Sequence, residues 1–245
     1  MSKYDFRSPR LFIDAPLAAG AHVALEPAQA HYVGNVLRLT TGARVLVFNG
    51  RDGEWSSVLT LLRRGATLAV DAKTRAQTGT ADLHYLFAPL KAARLDYMTQ
   101  KAVEMGASRL LPVLTRHGQV TRVNVARMRA NAIEAAEQCG ILTVPDIGQP
   151  LALAQLIAGW DSRRQMVFCD EDAEVAGPII ALGGLVHGPL AVLIGPEGGF
   201  ADDERAALLK LPNVVRLSLG PRILRADTAA VAALALVQAV LGDWA

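Results

Sequence analysis

VLIGPEGGFADDERAAL, Val192 to Leu208, runs from an apolar segment through a turn holding Gly195, Pro196, Gly198 and Gly199 into an acidic, helix-forming segment. Strand, tight turn and helix in that order are the building unit of parallel α/β folds. A glycine-rich turn at such a junction commonly cradles a phosphate with backbone N–H groups and the helix dipole. Here the residues argue against a phosphate. No P-loop Lys-Ser/Thr spacing and no Gly-x-Gly-x-x-Gly fingerprint is present. Asp202, Asp203 and Glu204 fill the first helical turn, and Glu197 lies in the loop itself. Carboxylates suit the positive end of a helix dipole and repel a phosphate placed there. A neutral or cationic ligand fits better, and a plain connecting turn is the bland alternative.

A second stretch, LSLGPRILRADTAA from Leu217 to Ala230, repeats the pattern. An apolar strand turns at Gly220-Pro221 and enters an alanine-rich helix, which Asp227 or Thr228 can cap. Two such turns at the carboxyl ends of parallel strands would stand side by side, where open parallel sheets bind ligands. Ile223 and Leu224 can line a pocket there. Arg222 reads as a solvated helix start and Arg225 as part of the site.

Outward from these stretches, the apolar runs LHYLFA, RLLPVL, MVFCD, LAVLIG and VVRLSL alternate with helical segments. LDYMTQKAVEMG stops at Gly106 and VARMRANAIEAAEQCG at Gly140. That alternation predicts a parallel sheet covered on both faces. The first third differs. ARVLVFN, EWSSVLTL and ATLAVDA are separated by NGRDG and RRG, which predicts a meander of short antiparallel strands. QAHYVGNVLRL before it reads as a short helix. A small barrel is expected over 1–73 and a larger α/β domain over 74–245, with KTRAQTGTAD as the linker.

Composition agrees. The chain has 245 residues, 51% hydrophobic and 20% charged, as in ordinary globular proteins. AAVAALALVQAVL, Ala229 to Leu241, falls short of the ~20 residues that span a bilayer, so no membrane association is expected. MSKYDFRSPR shows no secretory pattern, and Cys139 and Cys169 read as partly buried thiols in a reducing cytoplasm. No metal-ligand spacing is present. Residues 1–79 carry 10 Lys or Arg against 6 Asp or Glu, and residues 80–245 carry 15 against 17. A basic front module that meets a polyanion is one reading of that split, and scatter is the other.

LIGPEGGF followed by LGPRILRADTAA resembles the RsmE-type 16S rRNA (uracil-N3)-methyltransferases of the SPOUT superfamily. HYVGNVLRLTTGARVLVFNGRDGEW resembles that family's PUA-like barrel. QKAVEMG, and EAAEQCG with VPDI, resemble its middle helices, so the resemblance covers nearly the whole chain. It implies an α/β methyltransferase domain with a deep trefoil knot behind a small N-terminal PUA-like β-barrel. It implies S-adenosylmethionine bound among three segments: Ile194, Gly195, Pro196, Glu197, Gly198 and Gly199; Leu217, Ser218, Leu219 and Gly220; and Ile223, Leu224 and Arg225. It also implies a homodimer acting on 16S rRNA or the small ribosomal subunit. A cationic sulfonium without phosphate suits the acid-flanked loop. Departures from the family pattern are Asp227 for Glu, Ile141 and His117 for Arg, and Ala201 for Ser.

Methylation of uridine N3 requires loss of its proton, and an arginine near O2 or O4 stabilises the resulting anion. Arg225 is assigned that role. Asp227 and Glu197 are the candidate bases, with helix capping the competing role for Asp227. Lys101 and Glu104 are expected to form a helix-surface pair. Arg7, Arg10 and Arg38 are the candidate RNA contacts of the basic module. Ribose 2′-O-methylation, a non-catalytic RNA-binding module and a nucleotide-dependent dehydrogenase are the rival readings.

Overall fold

The computed structural model describes residues 5, 7–173 and 177–244. Residues 1–4 and 6 of the expected first domain, and 174–176 and 245 of the second, lie outside the described residues. The chain divides into two compact units, Met1–Gly79 with Ala136–Val144, and Thr80–Ala135 with Pro145–Ala245.

Unit 1 contains β1 (Arg10–Phe12), β2 (His22–Ala24), α1 (Pro27–His31), β3 (Arg44–Phe48), β4 (Glu54–Leu61) and β5 (Ala66–Arg75). A single π-helical turn, Tyr32–Val36, continues α1. The strand order is β1-β3-β4-β5-β2. β3, β4 and β5 form the antiparallel meander expected from their turns. β1 adds parallel to β3, and β2 adds antiparallel to β5. Both are three-residue strands, too short to show a period-two pattern in the sequence. Val45 and Val47 from β3 and Ala66, Leu68 and Val70 from β5 alternate onto one face, where they bury Val33 and Leu59. The expected boundary at residue 73 falls inside β5, which continues to Arg75.

One charged cluster is buried in this unit. Glu54 is 2% exposed. Its carboxylate accepts from Arg10 Nε at 2.7 Å, from Arg75 Nε at 3.0 Å and Nη2 at 2.7 Å, and from Thr74 Oγ1 at 2.8 Å. The same arginines donate to the carbonyls of Glu137 at 3.1 Å and Gly140 at 2.8 Å. These carbonyls belong to the end of α3 (Val125–Cys139) and the residue after it, where unpaired helix carbonyls attract cations.

Unit 2 is built on β6 (Leu83–Phe87), β7 (Arg109–Leu114), β8 (Asp146–Ile147), β9 (Leu151–Ala152), β10 (Gln165–Cys169), β11 (Leu190–Ile194) and β12 (Val214–Leu217). Its order is β12-β10-β11-β6-β7-β8, with β9 also on β7, and every pairing is parallel. The long strands are apolar on both faces. Tyr85, Phe87, Val167 and Val192 enter one core, while Leu86, Met166, Phe168, Ala191 and Leu193 enter another. That is the strand pattern of a sheet covered on both sides.

The helices are α2 (Ala92–Glu104), most of α3, α4 (Leu153–Ala158), α5 (Pro178–Gly183), α6 (Asp202–Leu208) and α7 (Ala226–Leu241). α7 buries Ala226, Ala229, Ala230, Ala233, Leu234 and Val237, and its small alanines let it pack closely on α2. Gln238, 1% exposed, donates to the carbonyl of Met105 at 2.7 Å, just past the end of α2. Gly106 follows with φ +77°. Among the described residues no helix is long and apolar enough to cross a membrane. No group of three or more His, Cys, Asp or Glu there could hold a metal.

Candidate functional site

β10, β11 and β12 are adjacent and parallel, so their carboxyl ends deliver three loops to one edge of the sheet. Those loops enclose a cavity of about 320 Å³, within the range of small-molecule sites. Ile194, Gly195, Pro196, Glu197 and Gly199 line it from the first glycine loop. Leu217, Ser218, Leu219, Gly220, Ile223 and Leu224 line it from the second. Two expected positions, Gly198 and Arg225, lie outside the lining. The carbonyl of Gly198 instead meets His117 Nδ1 at 3.2 Å.

The glycines have specific work. Gly199 and Gly220 adopt φ of +69° and +100°, where a Cβ is strained. A Cβ on Gly195 would meet the Phe200 ring at 2.5 Å. Phe200 packs edge-on to Phe168 with ring centroids 5.3 Å apart, which holds the loop on the core beneath.

The third loop was not singled out in the sequence. Asp170, Glu171 and Asp172, after β10, line the cavity with Asp202 and Arg205. The available signal was the apolar run MVFCD, which ends in acids where the two glycine loops also end. Asp170 is 5% exposed and accepts from Arg205 Nη2 at 3.0 Å and Arg216 Nε at 2.7 Å. Burial pushes the Asp170 carboxyl up, but the hydrogen bonds from Arg205 and Arg216 outweigh it and hold it below the usual carboxylate range. Burial, together with the charge of Asp170, pushes the neighbouring Cys169 thiol up to about 12, so it is no nucleophile at neutral pH. Cys139, expected to be partly buried, is exposed. Glu171, Asp172 and Asp202 stand exposed on the rim beside Arg222. The cavity therefore carries more acid than base and offers no basic cradle for a phosphate.

α6 begins at Asp202, with all three acids in its first turn as expected. Ala201 has no side chain able to cap α6, and Glu204 supplies only the reciprocal half of a capping box. It accepts from the N–H of Ala201 at 3.1 Å and of Arg116 at 2.9 Å. Arg116 also pairs with Asp203 at 2.6 Å, tying the loop after β7 to α6.

Asp227 does not cap α7. The N-cap residue is Arg225, whose exposed side chain makes no capping bond, and Asp227 is the second residue of the helix, within its first turn. Its carboxylate accepts from the N–H of Thr228 at 3.0 Å and is gripped by Arg94 through Nε at 3.0 Å and Nη2 at 2.9 Å. The remaining nitrogen of Arg94, Nη1, donates to Glu197. The Arg94 guanidinium holds the Asp227 carboxyl below the usual carboxylate range, with a partly opposing push from burial. A base for a weak acid needs the opposite shift. Arg94 was invisible in the sequence because KAARLDYMTQ reads only as the start of an amphipathic helix.

The candidate RNA contacts separate. Arg7 and Arg38 are exposed, and Arg38 has φ +54°, unusual for a residue with a side chain. Arg10 is 7% exposed and committed to Glu54 and the end of α3, so it presents no surface to a phosphate. Its assignment as an RNA contact is corrected on that ground. Lys101 and Glu104 form the expected pair at 2.7 Å.

Residues 77–238 match the family model of the RNA methyltransferase domain, and residues 25–67 match that of the RNA methyltransferase PUA domain. A Rickettsia conorii protein named ribosomal RNA small subunit methyltransferase E is 29% identical over 94% of this chain and 94% of its own length. The crystal structure of a ribosomal RNA small subunit methyltransferase E from Neisseria gonorrhoeae, bound to S-adenosyl methionine, shares the fold. It has a TM-score of 0.86 and 24% identity, and covers 98% of this chain and 100% of that one. A Legionella pneumophila protein solved with bound cofactor SAM aligns with a TM-score of 0.83 and 26% identity over 95% of this chain and 98% of its own. With its catalytic-domain model spanning most of the chain and its loops meeting in one acid-rimmed cavity, the protein belongs to the RNA methyltransferase family.

Proposed function

We propose that this protein methylates N3 of a uridine in small-subunit ribosomal RNA, using S-adenosylmethionine bound in the cavity at the ends of β10, β11 and β12. The observation that carries the reading is the cavity's make-up, with two Gly-Pro loops, an acid-rich rim and no phosphate cradle. Those residues fit the cofactor. Backbone groups of the two loops would hold adenine and ribose, Leu217, Leu219 and Leu224 would pack on the base, and Glu197 and Asp202 would face the positive end. Bound there, the cofactor supplies an electrophilic methyl group on a sulfonium.

The chain's own contribution is largely positional, since holding two reactants in near-attack geometry can lower a barrier by about 7–11 kcal/mol. Arg225, exposed just outside the lining, would stabilise the anion formed when uridine N3 loses its proton. Asp227, committed to Arg94, is a poor proton acceptor. Arg7 and Arg38 would contact the RNA backbone. The reading also includes the trefoil knot, a cytoplasmic setting and a homodimer. The exposed Ile179, Ile180 and Val186 support the last by offering apolar surface in unit 2.

The test is calorimetry followed by nucleoside mapping. S-adenosylhomocysteine should bind, and ATP and NAD should not. Ribosomal RNA from cells lacking the protein should lose one 3-methyluridine. A lost 2′-O-methyl group would replace the target, and tight ATP binding would overturn the cofactor. Arg225→Ala should lower the rate at saturating RNA and cofactor by about 10²–10³-fold, while Asp227→Asn should leave the pH–rate profile unmoved.

A further inference from the structure

Arg94 sits in the first turn of α2 and does not line the cavity, yet it reaches two carboxylates on two other elements. Two of its nitrogens grip Asp227, in the first turn of α7, and the third grips Glu197 in the glycine loop. Glu197 lines the cavity, and so do Ala226 and Ala229 on either side of Asp227. One planar guanidinium therefore joins the cavity's first loop to the helix that closes its far wall.

The geometry demands this fork. Glu197 and Asp227 share one cation, so without it two carboxylates would face each other and repel. A guanidinium can serve three acceptor directions at once in a fixed plane, whereas a lysine ammonium is a point charge on a flexible stem. Glu197 has few other restraints. Its loop is held by the turn from the Gly199 N–H to the Pro196 carbonyl at 2.9 Å and by His117 on Gly198, both of which act on backbone atoms. The direction of the Glu197 side chain is left to Arg94.

We propose that Arg94 is a positioning residue that latches the glycine loop to α7 and, acting through Glu197, sets the protein's affinity for its methyl donor. The inference rests on the S-adenosylmethionine reading above. Arg94 touches neither the donor nor the RNA. Its loss acts on cofactor binding and not on the chemical step.

The experiment measures S-adenosylhomocysteine affinity by calorimetry, together with thermal melting and steady-state kinetics, on the intact protein and on Arg94→Gln, Arg94→Lys, Glu197→Gln and the Arg94→Gln/Glu197→Gln pair. Arg94→Gln should weaken S-adenosylhomocysteine by about 10-fold, equivalent to about 1.4 kcal/mol. It should raise KM for the donor similarly, with kcat at saturating donor within about 3-fold. Arg94→Lys should recover only part of the affinity. The double variant should bind no more weakly than the weaker single variant, because both changes break one latch. Glu197 is substantially exposed, so Glu197→Gln will fold and probes the latch from its other end even if Arg94→Gln melts early. Unchanged affinity in both single variants, losses that multiply in the double variant, or a fall in kcat alone would overturn the inference. A wild-type protein that binds no S-adenosylhomocysteine would instead overturn the cofactor reading, and the latch with it.

Discussion

The two units each hold a three-member cluster of arginine and carboxylate, with opposite stoichiometry. In unit 1 a single carboxylate, Glu54, serves Arg10 and Arg75, and the acid and Arg10 are each 3% exposed at the side chain. In unit 2 a single guanidinium, Arg94, serves Asp227 and Glu197, and exposure rises from 17% at Asp227 to 44% at Glu197. The first cluster is sealed, and its leftover donors go to carbonyls at the end of α3. The second opens towards the cavity through its most exposed member. A buried cluster makes rigidity but cannot meet a ligand. A half-open one can transmit position to a loop that does. Asp170, with Arg205 and Arg216, shows the sealed stoichiometry again, at the cavity itself, where it supports the third loop.

The largest effect that separates the two clusters is on stability. Glu54→Gln leaves two guanidinium groups facing a neutral amide, and removing one partner of a buried ion pair costs about 3–5 kcal/mol. Denaturation followed by Trp55 fluorescence, in the same strand, should show that loss. Glu197→Gln should cost less than about 1 kcal/mol, the usual value of an exposed pair. Equal losses would erase the distinction drawn between the clusters.

Acid should expose the same contrast more gently. Burial pushes the Glu54 carboxyl up, but hydrogen bonds from Arg75, Arg10 and Thr74 outweigh it and leave it below the ordinary value of 4.5. A carboxyl depressed in the folded state stabilises the fold above its unfolded pKa, and the contribution is lost as pH falls through the folded one. Unit 1 should therefore lose stability as pH drops below about 4.5, and Glu54→Gln should flatten that limb. An unchanged acid limb in the variant would show that other groups control it.

The smallest expected effect lies on the surface. Arg116 and Asp203 pair at 59% and 64% side-chain exposure. Arg116→Ala should leave stability almost unchanged in the same denaturation assay, because solvent screens an exposed pair. A larger loss would mean that this pair belongs with the sealed clusters.

Legibility in the sequence followed the range of the interactions involved. Four strands of the sheet, β6, β7, β10 and β11, were readable because each is a largely apolar run buried on both faces, and the edge strand β12, half-buried and carrying Arg216, was readable from its valines and the Gly-Pro turn after it. The two glycine loops were readable because positive φ and close approach leave a compositional mark at Gly199, Gly220 and Gly195. The three-residue strands β1 and β2 carry no such mark. Neither does the grouping of Ala136–Val144 with unit 1, which depends on Arg10 and Arg75 meeting the end of a distant helix. Arg10 was misread for the same reason, since a basic residue in a basic segment looks solvated until its partner is known. Arg94 and Asp227 are far apart in the chain, and nothing local to either announces the other.

The sheet order also bears on how the chain is made. β6, the first strand of unit 2, lies between β7 and β11, and β11 is synthesised far later than β6. Gln238 near the end of α7 completes the backbone hydrogen bonding just after α2, one of the first helices of that unit. The β3–β4–β5 meander can pair as soon as it leaves the ribosome. β7 can pair one edge of β6 early, but unit 2 must hold the other edge, and the face carrying Tyr85 and Phe87, uncovered on a growing chain until β11 and α7 arrive. Contacts that span most of a domain slow its folding and prolong exposure of apolar strands. The cavity, whose walls include the first turns of α7, is thus among the last features to form during synthesis, well after the basic module has taken shape.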